Sequence, residues 1–457
     1  MMSWASVVAL ALLVGCASTS PKAAFEDTAS LVEARTGRRI TWNRGTVEDE
    51  AVAKQVRALL ARDLTVNTAV EIALLNNPTL QATYEDLTVA QADLVQAGLL
   101  QNPVLGAGVA FPVAGSAQTG VSVSVAQDFL SVFTLAARKK VASAELEATK
   151  LRVGDAVLRA TCEVETAYYA LVAAQQVAAM RRSILAAADA TVDLARRQRD
   201  AGDISDLDLA GQEALSEQVR TDVTRSEADV VGAREALTRW LGVWDVSLLH
   251  HVPEKLPELP TEEAAEGDLE SVAVKQRLDL GAAREESEAA ERAYSLAKSL
   301  RWLGGTSVGA TYDKAPEGFT TVGPNVGLEL PIFDQKQAVV ARFAARLRVS
   351  RARQVALEVL VRSEVRTAES RVLLSRALVE RYAKVVVPLR ERVVALSQEH
   401  YNAMLIGTAQ LLQAKQSEVN AYRELIEILR DYWTARADLE RATGGAIPAT
   451  PVESKKP

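Results

Sequence analysis

Two periodicities alternate along the chain. Val157, Thr161, Val164, Tyr168, Leu171, Gln175 and Ala178 step by four and three residues in turn, and Val419, Tyr422, Ile426, Leu429 and Trp433 do the same. Spacing near 3.5 is that of a coiled-coil seam, in which Thr161 and Gln175 cost stability but can fix register. A helix resting on a globular core would present a wider apolar face. Ala, Leu, Arg, Glu and Gln, all good helix formers, dominate these stretches. No proline falls between Val113 and Val252, and only Pro388 interrupts the run from Pro331 to Pro448, so very long helices are permitted. A helix over the about 65 residues from Leu135 to Arg199 would run roughly 100 Å.

Between the helical stretches the period drops to two, which predicts strands. In the first half Leu105, Ala107, Val109 and Phe111 alternate with Val104, Gly106, Gly108 and Ala110. After a loop over 112–118, Val121, Val123 and Val125 alternate with Ser122 and Ser124. In the second half Val308, Ala310 and Tyr312 alternate with Ser307, Gly309 and Thr311. Past a loop at 313–321, Val326, Leu328 and Leu330 alternate with Asn325, Gly327 and Glu329. Each half supplies one hairpin, expected at about 104–127 and 306–330, with one apolar face and one small or polar face. That fits strands with lipid outside and water inside; a hairpin resting on a soluble core is the alternative. Four strands cannot close a barrel, and a sheet edge in lipid leaves backbone groups unsatisfied. Two copies would give eight strands with a filled interior, and three would give twelve with room for a channel. A homotrimer with four transmembrane strands per protomer follows if the strands span the membrane. Phe111, Phe129, Trp302, Tyr312 and Phe333 lie near strand ends, where aromatic girdles form.

The halves are related. Leu194, Ala201, Ile204 and Leu209 recur in register as Leu396, Ala403, Ile406 and Leu411, and Val164-Glu165-Thr166-Ala167 recurs as Val365-Arg366-Thr367-Ala368. Each separation is nearly half of the 457 residues, the mark of a tandem duplication.

The first fifteen residues carry no charge, and the apolar run Val7 to Val14 ends in Leu13-Val14-Gly15-Cys16, which reads as a lipobox. The expectation is a signal peptide over 1–15 and a covalent lipid (N-acyl and diacylglycerol) on Cys16. An ordinary signal peptide or a buried strand is the alternative, and the lack of Lys or Arg ahead of the apolar run is a departure. Ala17, where Asp would signal inner-membrane retention, resembles the bacterial pattern for the outer membrane. Cys162 is then the one remaining cysteine, so no disulfide can form within the chain, and its Ala, Leu and Val neighbours make it a packing residue.

The stretch from Leu64 to Gly444 resembles the TolC-like outer membrane efflux proteins, especially their lipoprotein branch. Leu64-Thr65-Val66, Ala69, Ala73-Leu74, Asn77-Pro78 and Ala90 to Pro103 look like that family's helix leading into its first strand. Arg277-Leu278-Asp279-Leu280, Ala282-Ala283 and Ala289-Ala290 look like the start of its second repeat. The resemblance implies repeats over 64–266 and 267–444, preceded by a lipidated and equatorial segment over 16–63 and followed by a flexible tail over 445–457. It implies a mainly α protein, a helical coiled-coil barrel with a trimeric 12-stranded β-barrel. Such a protein is a passive duct in the cell outer membrane that extends into the periplasm. Its partners would be a periplasmic adaptor and an inner-membrane pump of the resistance-nodulation-division type. The 244–268 stretch would be equatorial, and its acidic, proline-bearing part is explained by a solvated irregular loop.

The duplicated element around 202 and 404 would then be the pair of periplasmic tip turns, where adaptors contact the duct. Gly202, Asp203, Ser205, Met404 and Gly407 are the tip candidates. Gly202 suits a left-handed helix C-cap, Asp203 and Ser205 can cap the next helix, and Met404 stands where the family usually has glycine. Helix capping alone accounts for all five. Asp208, with Gln410 and Gln413, would line the periplasmic gate; the family often has acidic residues at the two glutamine positions. Three Asp208 carboxylates around a lumen would repel one another and favour cation binding or opening. A solvated aspartate at a helix start is the alternative.

Catalysis finds no support: the only histidines are His250, His251 and His400, and none has metal-ligand or triad spacing. No metal site, no cofactor beyond the lipid and no nucleic-acid partner are expected, since the net charge of −7 carries no basic stripe. A periplasmic coiled-coil scaffold lipoprotein without a pore is the competing reading. It explains the lipobox and the heptads but not two duplicated hairpins with apolar faces.

Overall fold

The structure, a computed structural model, describes residues 19–111, 119–245, 252–261, 268–302, 305–315 and 318–445. Helices α1 (Lys22–Thr36), α2 (Val47–Leu60), α3 (Val66–Asn76) and α4 (Pro78–Ala97) lead into strands β1 (Val104–Ala110) and β2 (Gly120–Asp128), and helices α5 (Leu130–Ala201) and α6 (Asp206–Leu241) follow. The order recurs as α7 (Leu269–Gln276), α8 (Leu278–Ser299), β3 (Thr306–Lys314), β4 (Thr320–Leu328), α9 (Gln337–Arg381), α10 (Val387–Asn402) and α11 (Thr408–Thr443). At 72 residues α5 is longer than the seam predicted. Among the described residues no helix is long and apolar enough to cross a membrane.

Pro388 does not break the second long helix. A π-helical turn at Tyr382–Val386 links α9 to α10, and the Val387 N–H donates to the Tyr382 carbonyl, five residues back. Proline inside a helix removes a donor and crowds the preceding turn. Widening that turn by one residue absorbs the defect.

The seam positions Val157, Val164, Tyr168, Leu171 and Ala178 are buried, with Thr161 and Gln175 half-buried. Over 157–173 the buried face is wider than a seam and includes Leu158, Cys162, Tyr169 and Val172. In α11 the buried apolar positions are Ala414, Ala421, Ile426, Tyr432, Ala435, Ala437, Leu439 and Ala442, so of the expected stripe only Ile426 is fully covered. The partner changes along this helix, from α10 to α7, and no single 3.5-residue stripe describes both contacts.

The four strands form one antiparallel sheet in the order β1-β2-β3-β4. Strand alternation fixes its faces. The register sets Leu105 beside Val125, Ala310 and Pro324, and sets Ala107 beside Val123, Tyr312 and Val322. The apolar sets of both hairpins therefore share one face, and Gly106, Gly108, Ser122, Ser124, Ser307, Gly309 and Gly327 share the other. The loop of the second hairpin is tighter than the alternation suggested. β3 runs to Lys314 and β4 starts at Thr320, while Glu329 falls just past β4, where its carboxylate accepts from the Gly305 N–H at 2.7 Å. β2 extends to Asp128; the 112–118 loop lies outside the described residues. Pro324 falls in the edge strand β4, where a missing N–H is best tolerated.

Two compact units result. One takes residues up to 28 with 84–153 and 278–358, and the other takes 29–83, 154–277 and 359 onward. Each repeat runs out to its hairpin and back, so each unit draws on both repeats. In the second unit the duplication builds two matching joints. Gly242 caps α6 in the left-handed region (φ +66°) against the Asn76 carbonyl, and Gly444 caps α11 at φ +90° against the Arg277 N–H. A side chain at either glycine would strike backbone. Asn76 Nδ2 donates to the Leu241 and Gly242 carbonyls at 3.0 and 2.8 Å, and Asn77 Nδ2 donates to the Trp240 carbonyl at 2.7 Å, so the first joint is tied by hydrogen bonds. At the second, buried Arg277 pairs with Glu364.

A Cβ on Gly309 would collide with the Val125 carbonyl oxygen, whereas one on Gly323 meets open space. Gly309→Ala is expected to destabilise the protein by about 1–3 kcal/mol, with Gly323→Ala neutral or slightly stabilising, as read by denaturant unfolding. Equal effects would rule out close approach of β2 and β3 as the reason for the glycine.

Candidate functional site

The duplicated turns are superimposable in their hydrogen bonding. At the first, the Gly202 N–H donates to the Arg199 carbonyl and the Asp203 N–H to the Gln198 carbonyl, at 3.0 and 2.8 Å. At the second, the Met404 N–H donates to the Tyr401 carbonyl and the Leu405 N–H to the His400 carbonyl, both at 2.9 Å. Gly202 has φ +84° and Met404 φ +60°, so both chains turn through the left-handed region. This is the Schellman arrangement, which satisfies the last carbonyls of the incoming helix. Methionine pays about 1–2 kcal/mol for that conformation and glycine does not. Methionine at this position therefore keeps the geometry of the turn and adds local strain.

The outgoing helices start differently. Ser205 caps α6 through a capping box: its Oγ accepts from the Asp208 N–H at 3.1 Å, and its own N–H donates to the Asp208 carboxylate at 3.2 Å. The Ser205 hydrogen bonds hold the Asp208 carboxyl below the usual carboxylate range. Arg199 ties the turn further through an ion pair with Asp206. Asp203 is exposed and follows Gly202 as part of the turn rather than as the cap. At the second turn Gly407 is the N-cap, with no side chain to offer, and Gln410 stands where Asp208 does. Gln410 and Gln413 are exposed, and among the described residues no hydrogen bond joins either to Asp208. Three apolar side chains at the turns are bare: Leu207, Met404 and Leu405 are 82%, 94% and 70% exposed. Leu207 and Leu405 escaped the sequence argument; the available signal was Leu405 standing where the first repeat has Asp203. Next to the turns, α5, α6 and α11 enclose a groove of about 800 Å³ lined by Ile184, Leu215, Val219, Leu412 and Val419.

A second polar cluster lies where the chain before α2 meets α5 and α11. Glu165 on α5 is held 4.0 Å from Arg38, whose other terminal nitrogen donates to Asn67 Oδ1 at 2.5 Å. Burial, then the nearby Glu440 carboxylate, pushes the Glu165 carboxyl up to about 7, with Arg38 and Arg436 opposing. Burial pushes Glu440 up as well. Cys162 beside them points its thiol at Asp438, 3.5 Å away, and burial pushes that thiol up, as expected of a packing cysteine. Of the segment expected to be a solvated irregular loop, residues 262–266 lie outside the described residues; 254–261 are irregular and largely exposed but anchored, since Leu256 is buried and its N–H donates to Gln176, while Trp433 Nε1 donates to the Pro257 carbonyl at 3.0 Å. Among the described residues no group of His, Cys, Asp and Glu could hold a metal ion. His250, His251 and Cys16 lie outside the described residues.

Repeated helix pairs, matched helix–helix turns and a single four-stranded sheet define a known architecture. The profile of the outer membrane efflux protein family matches residues 69–243, most of the first repeat. The fold is that of TolC-like outer membrane channels. The channel CmeC of Campylobacter jejuni superimposes with a TM-score of 0.73 at 15% identity, covering 85% of this chain and 87% of its own. A membrane protein from Pseudomonas aeruginosa gives 0.72 at 18% identity, covering 84% and 94%. The outer membrane protein VceC of Vibrio cholerae gives 0.69 at 18%, covering 85% and 98%. No curated protein sequence matches the chain.

Two outcomes are expected. Met404→Gly should slow amide exchange in the second of the duplicated turns, and Gly202→Ala should speed it in the first, each by about 1 kcal/mol of local opening; the same response at both turns would refute the left-handed strain. Glu165 has a raised folded pKa, so its contribution is fully present below its unfolded value and is lost as pH rises through about 7. Glu165→Gln should therefore stabilise the protein by about 2 kcal/mol near pH 8 and leave it almost unchanged near pH 5. Thermal unfolding across that range checks the sign, and a gain confined to low pH would contradict it.

Proposed function

We propose that this chain is the outer membrane duct of a tripartite efflux system, passively conducting cargo that an inner-membrane pump and a periplasmic adaptor deliver. The observation that carries the reading is the sheet. Its apolar face is exposed along all four strands, with Leu105, Val123, Val308 and Val326 each more than a third accessible. β1 and β4 are both edges, with one side of each backbone unpaired. β4 and β1 run in opposite directions, so β4 of one copy continues the antiparallel ladder onto β1 of the next. Three copies close twelve strands around a lumen, put the apolar face in lipid and the Gly-Ser face in water, and leave no edge. Exposed Phe111 and Phe319 at the hairpin-turn end, and Phe129, Trp302 and Phe333 at the helix end, suit girdles at two interfaces.

The bare Leu207, Met404 and Leu405 at the tips supply an apolar surface for an adaptor, and the pump is taken to be of the resistance-nodulation-division type. Asp208, one per protomer, is the gate carboxylate in this reading, with Gln410 and Gln413 as uncharged counterparts in the second repeat. The lipid on Cys16 anchors the amino terminus to the membrane. The scaffold alternative leaves the sheet's apolar face and both edges without a partner.

Full-length protein reconstituted in planar bilayers is expected to conduct as an assembled trimer that dissociates on heating, and the mature chain is expected to carry an acyl mass that Cys16→Ala loses. Asp208→Ala should change single-channel conductance or its block by divalent cations. A protein that never conducts belongs to the scaffold class, and unchanged conductance and block in the variant would remove Asp208 from the gate.

A further inference from the structure

The helices attached to the two edge strands carry opposite charge on exposed faces. α4, which leads into β1, holds Glu85, Asp86 and Asp93 and no basic residue, whereas residues 337–358 of α9, which follows β4, hold five arginines and one glutamate. On α4 the buried side is that of Tyr84 and Leu87, and Gly98 just past the helix meets Lys139 of α5. Asp86, Val89 and Asp93, spaced as neighbours on a helix surface, lie on the other side and are exposed. On α9 Arg351 pairs with Glu291 of α8 at 3.0 Å, which fixes the side turned to that neighbour. With about 3.6 residues per turn, Arg342, Arg346, Val349 and Arg353 project from the opposite side, and all four are exposed.

Neither set is neutralised within the chain. Among the described residues no ion pair engages the carboxylate of Asp86 or of Asp93, and Asp93 instead lies near the like-charged Glu145 of α5. Arg342 and Arg346 each rest 5.6 Å from the centroid of the Phe343 ring, with no carboxylate partner among the described residues. Asp93, Ala97, Val339 and Phe343 belong to one compact unit and border one groove of about 690 Å³, so the two helices edge the same surface. No ion pair crosses it from either aspartate to either arginine.

A neighbouring copy supplies the missing partners. When β4 of one copy pairs with β1 of the next, the helices attached to those strands, α9 and α4, meet at the junction and run antiparallel, as the strands do. From the helix rise, Asp93 and Arg342 lie about 6 and 8 Å from the sheet-side ends of their helices, and Asp86 and Arg346 about 17 and 14 Å. We propose that the acidic face of α4 and the arginine face of α9 form the junction between adjacent copies, Asp93 and Asp86 of one copy facing Arg342 and Arg346 of the next, with Val89 and Val349 beside them. The inference rests on the reading of the sheet as one third of a shared barrel. Both faces belong to every chain, on opposite flanks, so the contact is head to tail and closes as a ring. Exposed ion pairs add little affinity but set orientation and reject wrong partners. A copy turned over would bring arginine to arginine or carboxylate to carboxylate.

The test uses the full-length protein in non-ionic detergent, after conduction in planar bilayers has been measured, and follows the rate at which the trimer dissociates at a fixed raised temperature. Asp86→Arg with Asp93→Arg, and separately Arg342→Asp with Arg346→Asp, should each speed dissociation roughly tenfold at about 0.1 M salt, and about 1 M salt should shrink the difference. Combining all four substitutions restores opposite charge at every junction and should return the rate to within about threefold of the unmodified protein. Recovery is decisive, because damage to folding would accumulate rather than cancel. A rate unmoved by both reversals, or a combined variant no slower than the faster pair, overturns the proposal. If a reversed pair does not assemble, Asp93→Cys with Arg342→Cys and a short bis-maleimide take its place, Cys162 being buried. Linkage between copies is then expected, and linkage confined within single chains overturns the proposal. A protein that conducts as a trimer yet ignores the reversals fails this inference alone, whereas one that never conducts fails the duct reading on which it rests.

Discussion

The ladder between β2 and β3 is the contact on which the sheet depends. It pairs Val121 with Lys314 and Asp128 with Ser307, joining hairpins that belong to different repeats. Within each hairpin the apolar alternation is a local property. This pairing, in this register, brings both apolar sets to one face. A slip of one residue would turn the second hairpin over and mix valines with glycines and serines. The close approach of Gly309 to the Val125 carbonyl oxygen gives the register a steric lock, since no other residue type fits there. The continuous apolar face and the small-residue face, on which the membrane reading rests, follow from it.

The duplication was reused with different chemistry at each copy. Both duplicated turns share one hydrogen-bond pattern and one left-handed residue, yet one is glycine with a capping box behind it and the other is a strained methionine whose helix start has no side-chain cap. The joints in the second unit follow the same logic. Glycine ends α6 and α11, while two asparagines tie the first joint and a buried arginine pair ties the second. Backbone geometry was retained because hydrogen-bond closure at a helix end is unforgiving. Side chains drifted because several can satisfy the same groups. The first turn is also the more tightly tied, by the capping box and the Arg199–Asp206 pair, so the two turns are expected to differ in how readily their hydrogen bonds open.

Local patterning made most of the architecture legible. The alternation in Leu105 to Phe111 and in Ser307 to Tyr312 announced strands because a pleated chain has a side-chain period of two. The absence of proline over the first long stretch announced α5, and the repeat around Gly202 and Met404 announced paired turns. Less legible were features set by neighbours distant in sequence. Pro388 looked like an interruption, but a π turn absorbs it. The α11 stripe was read one face away from its deepest contacts, because its partner changes along its length. Leu256 looked like part of a solvated loop, yet hydrogen bonds to α5 and α11 pin its surroundings. For the candidate site, Gly202, Ser205 and Asp208 could be placed from capping chemistry. The exposure of Leu207 and Leu405, and the cluster around Glu165, could not, since burial and pKa are properties of what surrounds a residue.

By itself, then, the sequence determined which segments are helix or strand, that the chain is two copies of one plan, and where each turn falls; these depend on a few consecutive residues and their steric preferences. Tertiary structure alone decided that the hairpins join into one sheet with a single apolar face, and that Glu165 and Glu440 share a buried setting with Arg38. Those arrangements join residues tens to hundreds of positions apart, and their energies come from desolvation and shape complementarity, which exist only once the chain has closed on itself.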